Sequence, residues 1–180
     1  MDRKTKGCLI AGILFTSILI IVMFFAIDTI GKSFQISKNK VDTSWDKYNK
    51  ILYDRNRTLK KVGNKNLLSL VIKTERNLKT NSLKKELITN EYILNDSLRK
   101  YKYADSFNQR LNNSLINYNM NVKEFNSKYS SFPYNYLRIK KSIPLYDYFE
   151  IEYGADNVEI IKKNQKIDDW IEHGGKLHIE

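Results

Sequence analysis

Between residues 111 and 133 the apolar and aromatic side chains fall at Leu111, Leu115, Tyr118, Val122, Phe125, Tyr129 and Phe132, in steps of 4, 3, 4, 3, 4 and 3. That spacing draws a seam along one face of an α-helix. Asn112, Asn113, Asn117, Asn121, Lys123, Glu124, Ser127 and Lys128 fill the other faces. The run stops at Phe132-Pro133, where proline lacks an N–H and biases its predecessor away from the helix. Phe132, as the last member of the seam, is expected to be buried at the bundle's end. A second stretch, 31–62, repeats the same steps through Val41, Trp45, Tyr48, Leu52, Arg55, Leu59 and Val62. Matching periods predict that the two seams face each other across an antiparallel or bundled interface. Arg55 is the odd member. In the ordinary arrangement its stem packs and its head snorkels to solvent; in the sharper one it pairs with a carboxylate or a backbone carbonyl on a facing helix.

Ahead of both seams, residues 8–27 carry no charge and are interrupted only by Gly12, Thr16 and Ser17. Twenty helical residues at 1.5 Å each span about 30 Å, the hydrocarbon thickness of a bilayer. A cleaved secretory signal has a shorter apolar core, and 26–28 (Ala-Ile-Asp) makes a poor cleavage site, so the run reads as a retained transmembrane helix. Arg3, Lys4 and Lys6 precede it and Lys32, Lys38 and Lys40 follow, so charge leaves the side of the soluble part open. The 31–62 helix is either separate from this span or continuous with it.

The middle of the chain is also helical in pattern. Gly63-Asn64 reads as a helix stop, Leu67, Leu68, Val71, Ile72 and Leu78 suit a short helix, and Thr80-Asn81-Ser82 is the next break. Leu87, Leu94, Leu98, Tyr101 and Ala104 lead on toward the 111–133 seam, as two helices or one kinked one. The chain has 180 residues with only two prolines and seven glycines, which favours long helices over a turn-rich β fold. The expected architecture is all-α: a short basic N-terminus (1–7), a transmembrane helix (8–30), and a bundle of three to four long antiparallel helices (31–132). An aromatic segment (133–153) and an irregular or mobile tail with room for a short helix (154–180) complete it. Ile143, Leu145, Tyr146, Tyr148 and Phe149 carry too much apolar surface for a free loop, so that segment is predicted to fold back on a helix face; the alternative is an exposed docking strip.

The formal charge is +11, from 31 Lys and Arg against 20 Asp and Glu. It reads as a solvated helical surface or, more sharply, as attraction to anionic lipid or nucleic acid. Arg99, Lys100, Tyr101, Lys102 and Tyr103 are the place to look for base stacking, but Leu98 and Tyr101 also fit the core stripe, and nucleic acid is not expected as a partner. Cys8 is the only cysteine, so it forms no internal disulfide. His173 and His178 beside Glu172 fall short of a metal set, and Asp147, Glu150 and Glu152 read as a solvated face. Phosphate loops, nucleophile elbows and zinc-protease patterns do not occur. The pattern therefore predicts no enzymatic activity, cofactor or metal.

Two pieces of the sequence resemble the LemA family of bacterial single-span membrane proteins. The first is Val41, Trp45 and Arg55 within VDTSWDKYNKILYDRNRTLKKV; the second is Tyr118-Asn119, five residues, Phe125-Asn126, five residues, Phe132-Pro133, followed by Tyr148-Phe149-Glu150. The likeness covers residues 8–153. It departs at Lys60 and Lys61, where the family usually has a proline nearby, at Leu115 in place of an arginine, and at 134–142, which lacks the family's glycine. The resemblance implies an all-α bundle behind one membrane span in a bacterial cytoplasmic (inner) membrane, with no established enzymatic activity. The expected function is a scaffold or adaptor, with the bilayer as partner through 8–27, unidentified proteins on the bundle, and room for anionic lipid or a homo-oligomer. Trp45, Tyr48, Arg55, Tyr118, Asn119, Phe125, Asn126, Phe132, Pro133, Tyr148 and Phe149 are the expected structural and interaction residues; the rival reading is a basic module on anionic headgroups.

Overall fold

The computed structural model describes residues 3–62, 65–80, 84–99 and 105–173. Six helices make up the secondary structure of these residues, with no strand among them: α1 (Arg3–Val62), α2 (Lys65–Thr80), α3 (Lys84–Leu98), α4 (Asp105–Tyr129), α5 (Asn135–Lys140) and α6 (Val158–His173). The expected breaks at Gly63-Asn64 and Asn81-Ser82 lie outside the described residues, as do residues 100–104 and His178.

α1 is a single helix of 60 residues, so the apolar run expected to span a membrane and the first seam are continuous. No proline interrupts it, and Gly31 stands in open space. Its character changes along its length. Residues 14–29 are all exposed, while burial begins at Phe34 and recurs at Ser37, Val41, Ser44, Tyr48, Ile51, Leu52, Arg55, Asn56 and Leu59. The recurrence every three or four residues is the period of one helix face. By length and composition α1 is apolar enough to cross a membrane.

The chain divides into two compact units, Met1–Val41 with Lys123–Tyr146, and Asp42–Val122 with Asp147–Glu180. In the first, Phe34 packs against Phe125 at 5.6 Å and Tyr129 at 5.0 Å, and Tyr146 stands edge-on to Phe125 at 4.9 Å. In the second, α2 packs against α3, and Leu67, Val71, Leu94 and Leu98 share a core with Leu59 of α1. Trp45 lies among the rings of Tyr48, Tyr118 and Phe149, with centroids 5.3, 5.0 and 5.7 Å away.

One expectation is overturned, and two that stood open are decided. Phe132 is 84% exposed rather than buried. α4 ends at Tyr129, so the helical phase that carries the seam is lost before position 132, and Tyr129 is the last buried member. The Phe132–Pro133 peptide bond is cis. Arg55 does not snorkel: it is 1% exposed and its partners lie inside the core. In the stretch 154–180, expected to be irregular but for a short helix, residues 158–173 form α6. Asp156 lies just before that helix, where its carboxylate accepts a hydrogen bond from the Val158 N–H at 3.0 Å, which lowers its pKa.

Candidate functional site: a buried arginine cluster and an asparagine ladder

Arg55 projects from the core face of α1 in the second unit, and Glu91 from the core face of α3. Their side chains meet fork to fork, Nη1 donating to Oε2 at 2.9 Å and Nη2 to Oε1 at 2.8 Å. Bidentate pairing of this kind combines charge with fixed geometry. Nε and Nη2 also donate to Asn56 Oδ1, at 3.2 and 2.9 Å. Tyr153, from the segment after α4, donates its hydroxyl to Glu91 Oε2 at 2.8 Å, and its ring lies 5.7 Å from the Arg55 guanidinium carbon. Tyr48 closes the cluster through a hydroxyl–hydroxyl bond to Tyr153.

The electrostatics of the cluster follow from its burial. Desolvation opposes the Arg55 charge, but the Glu91 carboxylate more than offsets it and the guanidinium pKa is raised. Desolvation, reinforced by the Glu91 charge, pushes the Tyr48 and Tyr153 hydroxyls well above the ordinary tyrosine range. Arg55 is therefore held charged, and the Tyr48 and Tyr153 hydroxyls are held protonated, near neutrality. The bonds of the cluster fix geometry, tying α1 to α3 and to the segment after α5.

The second feature is a row of asparagines that grip main chain. Asn112, Asn119 and Asn126 are spaced seven residues apart on α4, two helical turns each. Each side chain accepts a backbone N–H with Oδ1 and donates Nδ2 to the carbonyl of the same residue, imitating a neighbouring strand. In the first unit Asn126 holds Tyr146, at 3.0 and 2.7 Å. In the second, Asn119 holds Phe149, both bonds at 3.0 Å, and Asn112 holds Tyr153, at 2.8 and 3.0 Å. Asn95 of α3 continues the device, accepting from the Gly154 N–H at 2.8 Å and donating to the Ala155 carbonyl at 3.0 Å. Gly154 has φ +86°, a conformation that L side chains rarely adopt, which is the reason for glycine there; a Cβ would also stand 2.9 Å from Asn108 Nδ2, the movable end of a side chain. The Tyr118 hydroxyl adds a bond to the Asp147 carbonyl at 3.0 Å.

The expected residues sort accordingly. Tyr48, Arg55, Tyr118, Phe125 and Phe149 are buried, Trp45, Asn119 and Asn126 are half-buried, and Phe132, Pro133 and Tyr148 are exposed. Of these, Tyr48 and Arg55 meet in the cluster, while Asn119 and Asn126 hold the segment that follows α5. Phe132, Pro133 and Tyr148 join neither. Sequence reasoning missed Glu91, Tyr153, Asn95 and Asn112. Glu91 had a signal: it occupies the vacant step between Leu87 and Leu94, a carboxylate in a seam to match the arginine in another. Asn112 had one too, in the seven-residue repeat.

Among the described residues, no three of His, Cys, Asp and Glu converge as a metal set. His173 is exposed, its ring 3.2 Å from the Asp169 carbonyl. An open groove of about 480 Å³ in the second unit, lined by Lys47, Lys50, Asp54, Arg110, Asn113 and Asn117 among others, mixes both charge signs. Comparison of the chain with protein-family models, with curated proteins and with solved structures finds no match.

Proposed function

We propose that this chain is a single-span, non-enzymatic membrane protein of the LemA type, whose helices form an antiparallel bundle that serves as a scaffold or adaptor at a bacterial cytoplasmic membrane. One observation carries the reading. The exposed apolar run 14–27 passes without a break into a helix face whose side chains are buried from Phe34 to Leu59. An unbroken helix transmits position from bilayer to bundle and suits a rigid mount better than a flexible tether. The buried arginine cluster and the asparagine ladder support the same reading, because both fix shape.

The bilayer is the first partner, and proteins docking on the exposed faces of the bundle are the second. Photo-crosslinking residues at Tyr53 and Met120, which are 53% and 64% exposed, should give discrete heavier adducts in intact cells. A bundle that gives no adduct from any exposed position is not a scaffold. The rival, a module bound to anionic headgroups through the +11 charge, draws on the first unit's basic composition. It predicts binding that weakens steeply with salt, whereas the scaffold's captured partners should persist.

A further inference from the structure

We infer that the turn spanning residues 130–142 is a second membrane contact, lying in the headgroup layer of the leaflet that α1 leaves and set there for anionic lipid. The inference rests on the anchor reading of α1 and goes beyond it by assigning a separate surface.

Position comes from contacts within the first unit. Lys40 approaches Glu124 at 3.8 Å, and Lys128 donates to Ser33 Oγ at 2.6 Å, so numbering falls along α1 as it rises along α4. α4 therefore runs back toward the apolar end of α1. Its last residue, Tyr129, lies 3.4 Å from both Ser33 Oγ and Ser37 Oγ. On the return, Lys141 Nζ stands 5.6 Å from the centre of the Phe34 ring. Both ends of the turn are thus held within the one turn of α1 from Ser33 to Ser37, and Lys128 and Lys141 reach its Ser33 end. Ser33 is five residues past Asp28, about 7.5 Å along the axis and so at the outer edge of a headgroup layer that adds roughly 5–7.5 Å beyond the hydrocarbon.

Chemistry comes from what the turn exposes. Phe132 is 84% exposed, Tyr136 56% and Ile139 62%, and α5 buries none of its residues. Large apolar side chains grouped in this way on a soluble surface mark an interaction site. Arg138 is committed to the turn itself, Nε donating to the Tyr129 carbonyl at 3.0 Å and Nη1 to the Ile143 carbonyl at 3.3 Å. Lys140 and Lys141 are exposed beside the apolar group, and Lys140 Nζ lies 5.9 Å from the Tyr136 ring centre. Across residues 28–41 and 123–146 there are eight Lys and Arg against two carboxylates, Asp28 and Glu124. Asp28 is bridged to Lys32 at 2.6 Å. A basic, aromatic and apolar surface held at headgroup depth is the composition of an interfacial element.

The test uses the full chain with Cys8→Ser and a single cysteine introduced by Ile139→Cys or, as reference, by Asn39→Cys. Asn39 is exposed and lies eleven residues past Asp28, about 16 Å along the helix and outside the headgroup layer. Each variant carries an environment-sensitive dye and is reconstituted into vesicles of phosphatidylcholine with phosphatidylglycerol, some with nitroxide-labelled lipid. The dye at 139 should be blue-shifted and quenched about twofold or more beyond the dye at 39, with the difference reduced in phosphatidylcholine alone and by Lys140→Glu with Lys141→Glu. Equal quenching at the two positions in a chain that floats with the vesicles overturns the proposal and leaves the anchor standing. A chain that does not float rejects the anchor, and the proposal with it. A dye at 139 that is shielded in native membranes but not in vesicles gives the surface to a protein partner and overturns the lipid assignment.

Discussion

Arg55 and Glu91 occupy core positions where leucine would pack without desolvating a charge, so their presence trades stability for geometry. Removing one partner leaves the other buried and uncompensated, which typically costs about 3–5 kcal/mol, whereas replacing both with apolar groups of similar volume is often neutral or better. Arg55→Met alone should therefore lower the stability of the full chain in detergent by that amount, and Arg55→Met with Glu91→Met should recover most of it. Equal losses in the single and double variants would show that the pair is not coupled. The tyrosines add a pH dependence with a definite sign. Unfolded tyrosine titrates near pH 10, roughly, and burial holds Tyr48 and Tyr153 protonated above that. Above pH ~10 the folded chain then binds more protons than the unfolded chain, so stability present below that pH is lost as pH rises. Tyr153→Phe should make the loss shallower, while costing about 1.5–3 kcal/mol near neutrality for the hydrogen bond to Glu91. Melting curves from about pH 8 to about pH 11 check both, and identical slopes in the two proteins would exclude the tyrosine origin.

At the level of elements, α1, α4 and the extended segment show what periodicity reveals and what it hides. The seams at 41–62 and 111–129 were readable because helical phase alone places Tyr48, Leu52, Tyr118 and Phe125 on buried faces. Phe132 was misplaced because phase has no meaning beyond the last helical turn. Asn112 looked like a solvent-facing residue, since polarity is the usual mark of an exposed face; here the partner is backbone, which has no sequence signature. Glu91 was hidden for a related reason: a buried carboxylate is legible only once its arginine is known to point inward. The ladder makes a sharp prediction. Asn119→Asp keeps the size and the acceptor but loses the Nδ2 donor and sets a carboxylate against the Phe149 carbonyl. It should cost about 1–3 kcal/mol and raise hydrogen exchange in residues 147–153, while Met120→Asp, at an exposed position of the same helix, should do neither. Unchanged exchange at Phe149 in Asn119→Asp would mean that the segment is held by its rings alone.

For the molecule as a whole, the segment after α5 completes both units rather than trailing from them. In one it supplies Tyr146 to Phe125 and Asn126; in the other it supplies Phe149 to Trp45 and Tyr48, and Tyr153 to Glu91. Of the stretch expected to fold back, Phe149 is buried, Ile143 and Tyr146 are half-buried, and Leu145 and Tyr148 are 39% and 45% exposed; Ile151 and Tyr153, beyond that stretch, are buried as well. Truncation after Ser142 would remove all of these at once. It would leave four asparagine amides, those of Asn95, Asn112, Asn119 and Asn126, without their backbone partners, Glu91 without its hydroxyl donor and the Trp45 cluster open on one side. Losing the burial of Phe149 and Tyr153 alone forfeits at least ~3 kcal/mol, so the truncated chain should melt well below the full chain and bind an apolar dye. A truncated chain that melts unchanged but no longer captures a partner would make Leu145 and Tyr148 part of a docking strip. An unchanged melting temperature with capture intact would mean that neither packing nor docking depends on the segment.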